Sequence, residues 1–288
     1  MTTRTTLSLT EVLGRHRDEW DKTVAAVHAA RAPTHTHVVF CAWRGDVDGY
    51  GIRVVSASDP RAFVIGAHPT CDVRVPGARE NHALLVLWPD GFIDVRDLAG
   101  AGIGRMHEIV GGVRCESAAR FAVGDADFVV ASIAPGSAMG SPRDLLRAER
   151  TWHEWPHVAA DDEARVLGLR RPILARSFTL KASAGALEGG VVIGRGASCF
   201  VRTAFANRGC VAGVHAYLFA RGHGPIVVVD CGSASGVAIV RGGEVRRRLG
   251  QGQRVAALAA REAVGVDDAV LNVCVTPSAF HAAKAKSA

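Results

Sequence analysis

One order of residues occurs twice in this chain, and no other feature limits its architecture as strongly. Ile65-Gly66-Ala67-His68-Pro69-Thr70-Cys71-Asp72-Val73 is matched by Ile193-Gly194-Arg195-Gly196-Ala197-Ser198-Cys199-Phe200-Val201. His82-Ala83, a pair of apolar runs and Asp97 follow in the first copy; His215-Ala216, a second pair of runs and Asp230 follow in the other. A third block aligns Glu116, Arg120, Phe121 and Gly124 with Glu244, Arg248, Leu249 and Gly252. The distance between copies far exceeds the roughly 20–50-residue period of solenoid repeats, so the pattern indicates a duplicated domain. A chain of 288 residues has room for two.

Each copy consists of short apolar runs broken by turn residues. Val38 to Phe40, Phe63 to Ile65, Leu84 to Trp88, Phe92 to Val95 and Phe128 to Ala131 read as strands, as do Val191 to Ile193, Ala216 to Ala220 and Ile226 to Val229. Pro89-Asp90-Gly91 and Gly222-His223-Gly224-Pro225 read as hairpin turns. Short strands without long intervening helices predict a mainly β chain of sandwiches or barrels. Ahead of them, Ser8 and Glu11 have capping-box spacing, Leu7 with Val12 suits a hydrophobic staple, and Leu13, Trp20, Val24 and Val27 recur at helical spacing until Pro33. Between the copies, the breaker cluster from Gly136 to Pro142 marks a linker. A helix capped by Ser141 and ended by Pro156, then a weaker helical stretch from Ala159 to Leu169, are expected there. The resulting division is an N-terminal helix over 1–37, a sandwich over 38–134, a helical linker over 135–171, a second sandwich over 172–276 and a disordered tail over 277–288.

Charge separates the copies. Residues 38–134 carry 9 basic and 12 acidic side chains, whereas 172–276 carry 12 and 6. Either the two domains attract one another or the second meets an anionic partner. No apolar stretch reaches the ~18 residues of a membrane span. The N-terminus lacks a signal-peptide pattern, and seven dispersed cysteines fit reduced thiols, so a cytoplasmic protein is expected. Gly232-Ser233-Ala234-Ser235-Gly236 has Ala at the centre and is no nucleophile elbow, and no P-loop is present. His35 and His37 share a strand face but have no evident third ligand, so neither a metal nor a cofactor is expected. Arg246-Arg247-Arg248 is the densest basic run; with few aromatics beside it, a solvated strand edge is favoured over nucleic-acid binding.

The order Gly-Arg, then His-Ala, then Asp-x-Gly-Ser-x-x-Gly resembles the forkhead-associated (FHA) domain, twice over. The resemblance implies two β-sandwiches whose loops at one end bind phosphothreonine peptides. It implies phosphate contacts from the Arg of Gly-Arg and from a Ser shortly before the His. It also implies that the His braces the loops and that an Asn in the later loop holds the ligand backbone.

Both copies depart from that pattern. In the second, Gly194-Arg195 and His215 stand in place, but Ala212 and Gly213 occupy the Ser-Arg positions and Ser235 replaces the Asn. In the first, Ala67 replaces the phosphate Arg, Arg79-Glu80 precede His82, and Asp97-Leu98-Ala99-Gly100-Ala101-Gly102 has no Asn. Arg195, Ser233, Ser235, Arg202 and Arg208 are therefore the candidate phosphopeptide contacts, with Ser198, Thr203 and Asn207 nearby and His215 and His82 as loop braces. The resemblance implies a non-catalytic adaptor for a protein partner, which carries phosphothreonine or another anionic group. The alternative is a phosphate-independent scaffold in which both sites are lost.

Overall fold

The computed structural model describes residues 14, 16–43, 49–56, 58–105, 108–137, 152–156, 177–196, 199–202, 212–220, 224–250, 252–266 and 269–276. The chain is mainly β and divides into two compact units, Met1–Val158 and Ala159–Ala288.

The first unit begins with helix α1 (Arg17–Ala30) and continues through strands β1 (Thr36–Trp43), β2 (Tyr50–Ser56), β3 (Arg61–Gly66), β4 (Val73–Arg74), β5 (Ala83–Leu87), β6 (Phe92–Asp97), β7 (Ile103–Arg105), β8 (Glu108–Glu116), β9 (Ala118–Val123), β10 (Ala126–Ile133) and β11 (Trp152–Pro156). They form one curled sheet in the order β2-β1-β10-β9-β7-β8-β6-β5-β3-β4. Strand β8 makes the continuity. Its start, Glu108 to Val110, pairs with β7, and its end, Gly112 to Glu116, pairs with β6.

Strand alternation explains why the runs are apolar throughout. Val39 and Cys41 of β1 and Phe128 and Val130 of β10 face the enclosed core, where Phe121 stacks on Phe128 at 4.9 Å. Their neighbours Val38, Phe40, Val129, Ala131 and Ile133 face the other way and pack against Trp20, Val24 and Val27 of α1. A strand buried on both faces loses the polar alternation of a half-exposed one. Each of the three helix side chains contributes roughly 1.5–3 kcal/mol by burial.

Helix α1 is held by that stripe rather than by its start. The expected capping box at Ser8 and Glu11 lies outside the described residues; at Arg17 the cap position is His16, which makes no side-chain capping bond. The helix ends before Pro33, with Arg31 in the left-handed region at φ 45°.

The second unit comprises β12 (Ser177–Ser183), α2 (Ala184–Gly189), β13 (Val191–Gly194), β14 (Val201–Arg202), β15 (Ala216–Ala220), β16 (Ile226–Asp230), β17 (Val237–Arg241), β18 (Glu244–Leu249), β19 (Val255–Ala257), β20 (Ala263–Val266) and β21 (Ala269–Thr276). Two five-stranded sheets, β12-β21-β20-β17-β18 and β14-β13-β15-β16-β19, share one core. Ile239, Leu249, Val264 and Leu271 come from the first sheet and Ile193, Leu218 and Val228 from the second. This is a sandwich whose strand order repeats that of the first unit, with β18 and β19 together in the place of β8. Strand β12 runs parallel to β21, whereas β1 runs antiparallel to β10.

Two expectations change. Trp152 to Pro156, assigned by sequence to a linker helix, is strand β11, antiparallel to β8 at Val110 to Cys115. An open strand edge offered this aromatic segment a ladder, and such tertiary pairing outweighs weak helical periodicity. The remainder of the expected helices and the tail over 277–288 lie outside the described residues. The third repeat block aligned non-equivalent positions. Phe121 and Gly124 belong to β9 and its turn into β10, while Leu249 ends β18 and Gly252 lies between β18 and β19. By strand order β9 corresponds to β20. Short Gly-containing turns after an apolar residue recur throughout a β chain, and here they imitated homology. Finally, α2 carries no signal that sequence reasoning used.

Candidate functional site

The two matched loop sets are held by one scheme of hydrogen bonds. After β3, Ala67 N–H donates to Arg79 O and His68 N–H to Glu80 O; after β13, Arg195 N–H donates to Ala212 O at 3.2 Å and Gly196 N–H to Gly213 O at 2.9 Å. His82 N–H reaches Ile65 O, and His215 N–H reaches Ile193 O. Leu98 N–H donates to His82 O, and Cys231 N–H donates to His215 O.

The two histidines complete the scheme. His82 Nδ1 accepts Arg79 N–H at 3.2 Å and its Nε2 lies 2.9 Å from Gly102 O. His215 Nδ1 accepts Ala212 N–H at 3.3 Å and its Nε2 lies 3.1 Å from Gly236 O. A nitrogen that accepts an N–H carries no proton, so the ring proton is on Nε2 and donates to the glycine carbonyl. Both rings are buried. Each joins backbone groups of separate loops at one point.

Cysteine is the residue that sequence reasoning undervalued. Cys71 and Cys199, equivalent in the repeat, do more than fill space. The Cys199 thiol donates to Gly213 O at 3.0 Å, and the Cys71 thiol to Glu80 O at 3.2 Å. Burial pushes the Cys199 thiol up to about 11, against smaller lowering effects from the Gly196 backbone and Arg202, so it stays a donor. The preceding Gly66 and Gly194 are required by contact. A Cβ on either would collide with the carbonyl oxygen of Glu80 or Gly213. The repeated Gly-x-x-x-x-Cys spacing was the available signal.

On this shared frame the two units present different side chains. The turn after β13 carries Arg195, which is exposed. The equivalent turn in the first unit carries Ala67. Arg202, partly exposed, is the β14 partner of Gly194 in a parallel pair. The chain of bonds from Arg195 through Ala212 and His215 to Gly236 brings the Arg195 turn to the same end of the sandwich as the Ser233–Gly236 loop. Arg208, Ser198, Thr203 and Asn207 lie outside the described residues.

The later loop is organised by an aspartate in both units. Asp97 accepts N–H bonds from Ala99, Ala101 and Gly102. Asp230, fully buried, accepts the N–H groups of Gly232 and Ser233, the Ser233 hydroxyl and Arg254 Nη1 at 2.9 Å. The Ser233 hydroxyl proton is therefore committed to Asp230; its oxygen keeps acceptor capacity, which does not suit an anion. Ser235 is partly exposed, and its carbonyl accepts Arg248 Nη1 at 2.9 Å. Arg248, read from sequence as part of a solvated edge, thus reaches the candidate loop.

Elsewhere, His37 is buried and pushed down to about 4 by burial and by neighbouring His35, while His35 Nδ1 bonds Ser132 Oγ at 3.1 Å. Among the described residues no group of three His, Cys, Asp or Glu side chains is placed to hold a metal ion, and no helix is long and apolar enough to cross a membrane.

No protein-family model matches the chain, and no curated protein matches it. Among solved structures, it is similar to the FHA domain of CT664 from Chlamydia trachomatis, at 12% identity over 34% of this chain and 99% of that one, with a TM-score of 0.30. It is similar to the first FHA domain of Rv1747 from Mycobacterium tuberculosis at 22% identity, over 35% and 98%, with a TM-score of 0.27. The FHA1 domain of yeast Rad53 is 13% identical over 45% of this chain and 96% of its own, with a TM-score of 0.28.

Proposed function

We propose that this chain is a non-catalytic interaction adaptor whose second unit binds a phosphothreonine-bearing or similarly anionic peptide through Arg195. One observation carries the reading. Two loop sets are built by the same bonds, and at the turn that follows the first strand of the frame the second presents an exposed guanidinium, Arg195, where the first has Ala67; the first unit's own exposed Arg79 stands next to exposed Glu80. A guanidinium meets a phosphate dianion with two parallel N–H bonds. Bonds to charged groups contribute roughly 1.5–3 kcal/mol each, which is enough for Arg195 to anchor a peptide after loss of the Ser contact. The first unit keeps the frame without a cation at that turn and serves as a folded support. Among the described residues Cys41, Cys71, Cys115, Cys199 and Cys231 are buried and in no disulfide, which suits a reducing compartment such as the cytoplasm.

The scaffold alternative draws on Ala212, Gly213 and the committed hydroxyl of Ser233. The full chain, titrated with a degenerate phosphothreonine peptide library and its unphosphorylated counterpart, separates the two. Phosphate-dependent binding that Arg195→Ala weakens by at least about tenfold, as one lost charge-assisted bond requires, supports the adaptor. Equal retention of both libraries, or of neither, supports the scaffold.

A further inference from the structure

Strand β18 ends its sheet, and its residues Glu244 to Arg248 are exposed. β17 pairs with one side; among the described residues no strand pairs with the other. Three consecutive arginines stand on it. Arg246 faces Glu244 at 3.3 Å, Arg247 Nη2 donates to Ala257 O at 2.8 Å, and Arg248 Nη1 donates to Ser235 O at 2.9 Å. The strand carries one carboxylate for three guanidinium groups. Asp230, the acid of the adjoining loop, is buried and holds Arg254, so it does not offset them.

Charge on an edge strand guards against aggregation, and a mixture of signs or lysines would do so equally. The guard explains neither the excess of positive charge nor the seat of Arg248 on the ligand loop. Arginine differs from lysine in its planar fork, which suits carboxylates, and Arg248 keeps further N–H donors after bonding Ser235. A free edge can also take an extended chain by backbone pairing.

We propose that β18 is a second contact strip for the same ligand. An acidic, extended stretch of the partner, flanking the residue held at Arg195, lies along this edge with its carboxylates on Arg246 and Arg248. The inference rests on the peptide-binding reading of Arg195.

The test uses the full chain and phosphothreonine peptides with Asp/Glu or Ala flanks on either side. The acidic flank on one side should tighten binding about three- to tenfold at low salt, the sum expected of exposed ion pairs. Added salt should shrink the gain. In Arg246→Gln, checked for native circular dichroism, the gain should fall at least twofold while Ala-flanked peptides bind as before, and in Arg246→Gln/Arg248→Gln the ratio of acidic-flanked to Ala-flanked affinity should fall to one. Arg248→Lys, which keeps the charge, should retain part of the gain. Equal affinity for acidic and Ala flanks, or a gain that survives the double substitution, overturns the strip and leaves the Arg195 reading standing. Failure of every phosphopeptide to bind overturns both.

Discussion

Asp94 offers a quantitative check on the packing of the first unit. Its carboxylate is fully buried and receives Arg114 through two bonds, Nε at 2.8 Å and Nη2 at 3.0 Å. Arg96, 1% exposed, lies 3.5 Å away, and the Trp88 indole N–H donates at 2.8 Å. Asp94→Ala leaves the buried Arg96 and the largely covered Arg114 without this counter-charge, which costs about 3–5 kcal/mol. With a urea m-value of about 2 kcal/mol per molar, the midpoint should fall by about 2 M. The assay is selective because all five tryptophans, Trp20, Trp43, Trp88, Trp152 and Trp155, belong to the first unit. Tryptophan emission should therefore report the shift, while far-ultraviolet circular dichroism follows both units. Asp94→Asn keeps an oxygen for Trp88 and should lose less. Replacing the set together, Asp94→Leu with Arg96→Met and Arg114→Met, should recover most of the loss, because the desolvation cost of the charges goes with them. A midpoint shift for Asp94→Ala below about 0.5 M would refute the account, since that is about 1 kcal/mol at this m-value.

Two further outcomes are expected. His37 is held near 4 in the folded unit against an ordinary value of 6.5, so the folded form binds fewer protons; its contribution is present above pH 6.5 and lost as pH falls from 6.5 towards 4. Tryptophan-monitored urea midpoints should drop over that window by an amount worth about 2–4 kcal/mol, and His37→Gln should flatten the drop; an unchanged slope would exclude His37 as its source. With five described cysteines buried and Cys41 pushed up to about 12 by burial, a thiol reagent should modify no more than two of the seven in the native protein and all seven in denaturant. Rapid modification of three or more native thiols would contradict that burial.

The parts of the fold that sequence reveals are those fixed by local chemistry. Pro89-Asp90-Gly91 gave the β5–β6 hairpin, where Gly91 takes φ 92° and its N–H reaches Trp88 O. The apolar runs at Val38, Leu84, Phe128 and Ala216 sit within or overlap strands whose cores were foreseeable. The loop frame was legible because Gly194, Cys199 and His215 each answer to a backbone carbonyl at fixed spacing. The strand at Trp152 was not, since its partner edge lies some forty residues earlier, at Val110 to Cys115. Ser233 shows a further limit. A hydroxyl in a polar loop reads as available, and only the buried Asp230 beside it reveals where its proton goes. Arg248 shows the converse, because its reach to Ser235 crosses a strand boundary that spacing alone does not measure.

Strand β8 gives the first unit a property the second builds differently. Because one backbone carries ladders to both β7 and β6, pulling the two layers apart there means breaking peptide hydrogen bonds within a single strand. In the second unit the chain turns between Leu249 and Val255, and the tie between β18 and β19 is a side chain, Arg247 on the Ala257 carbonyl. Two sandwiches with the same strand order thus differ in how force and fluctuation pass between their layers. Parting the first at this point costs ladder bonds of one strand, whereas parting β18 from β19 costs the Arg247 bond and the apolar contacts of the shared core.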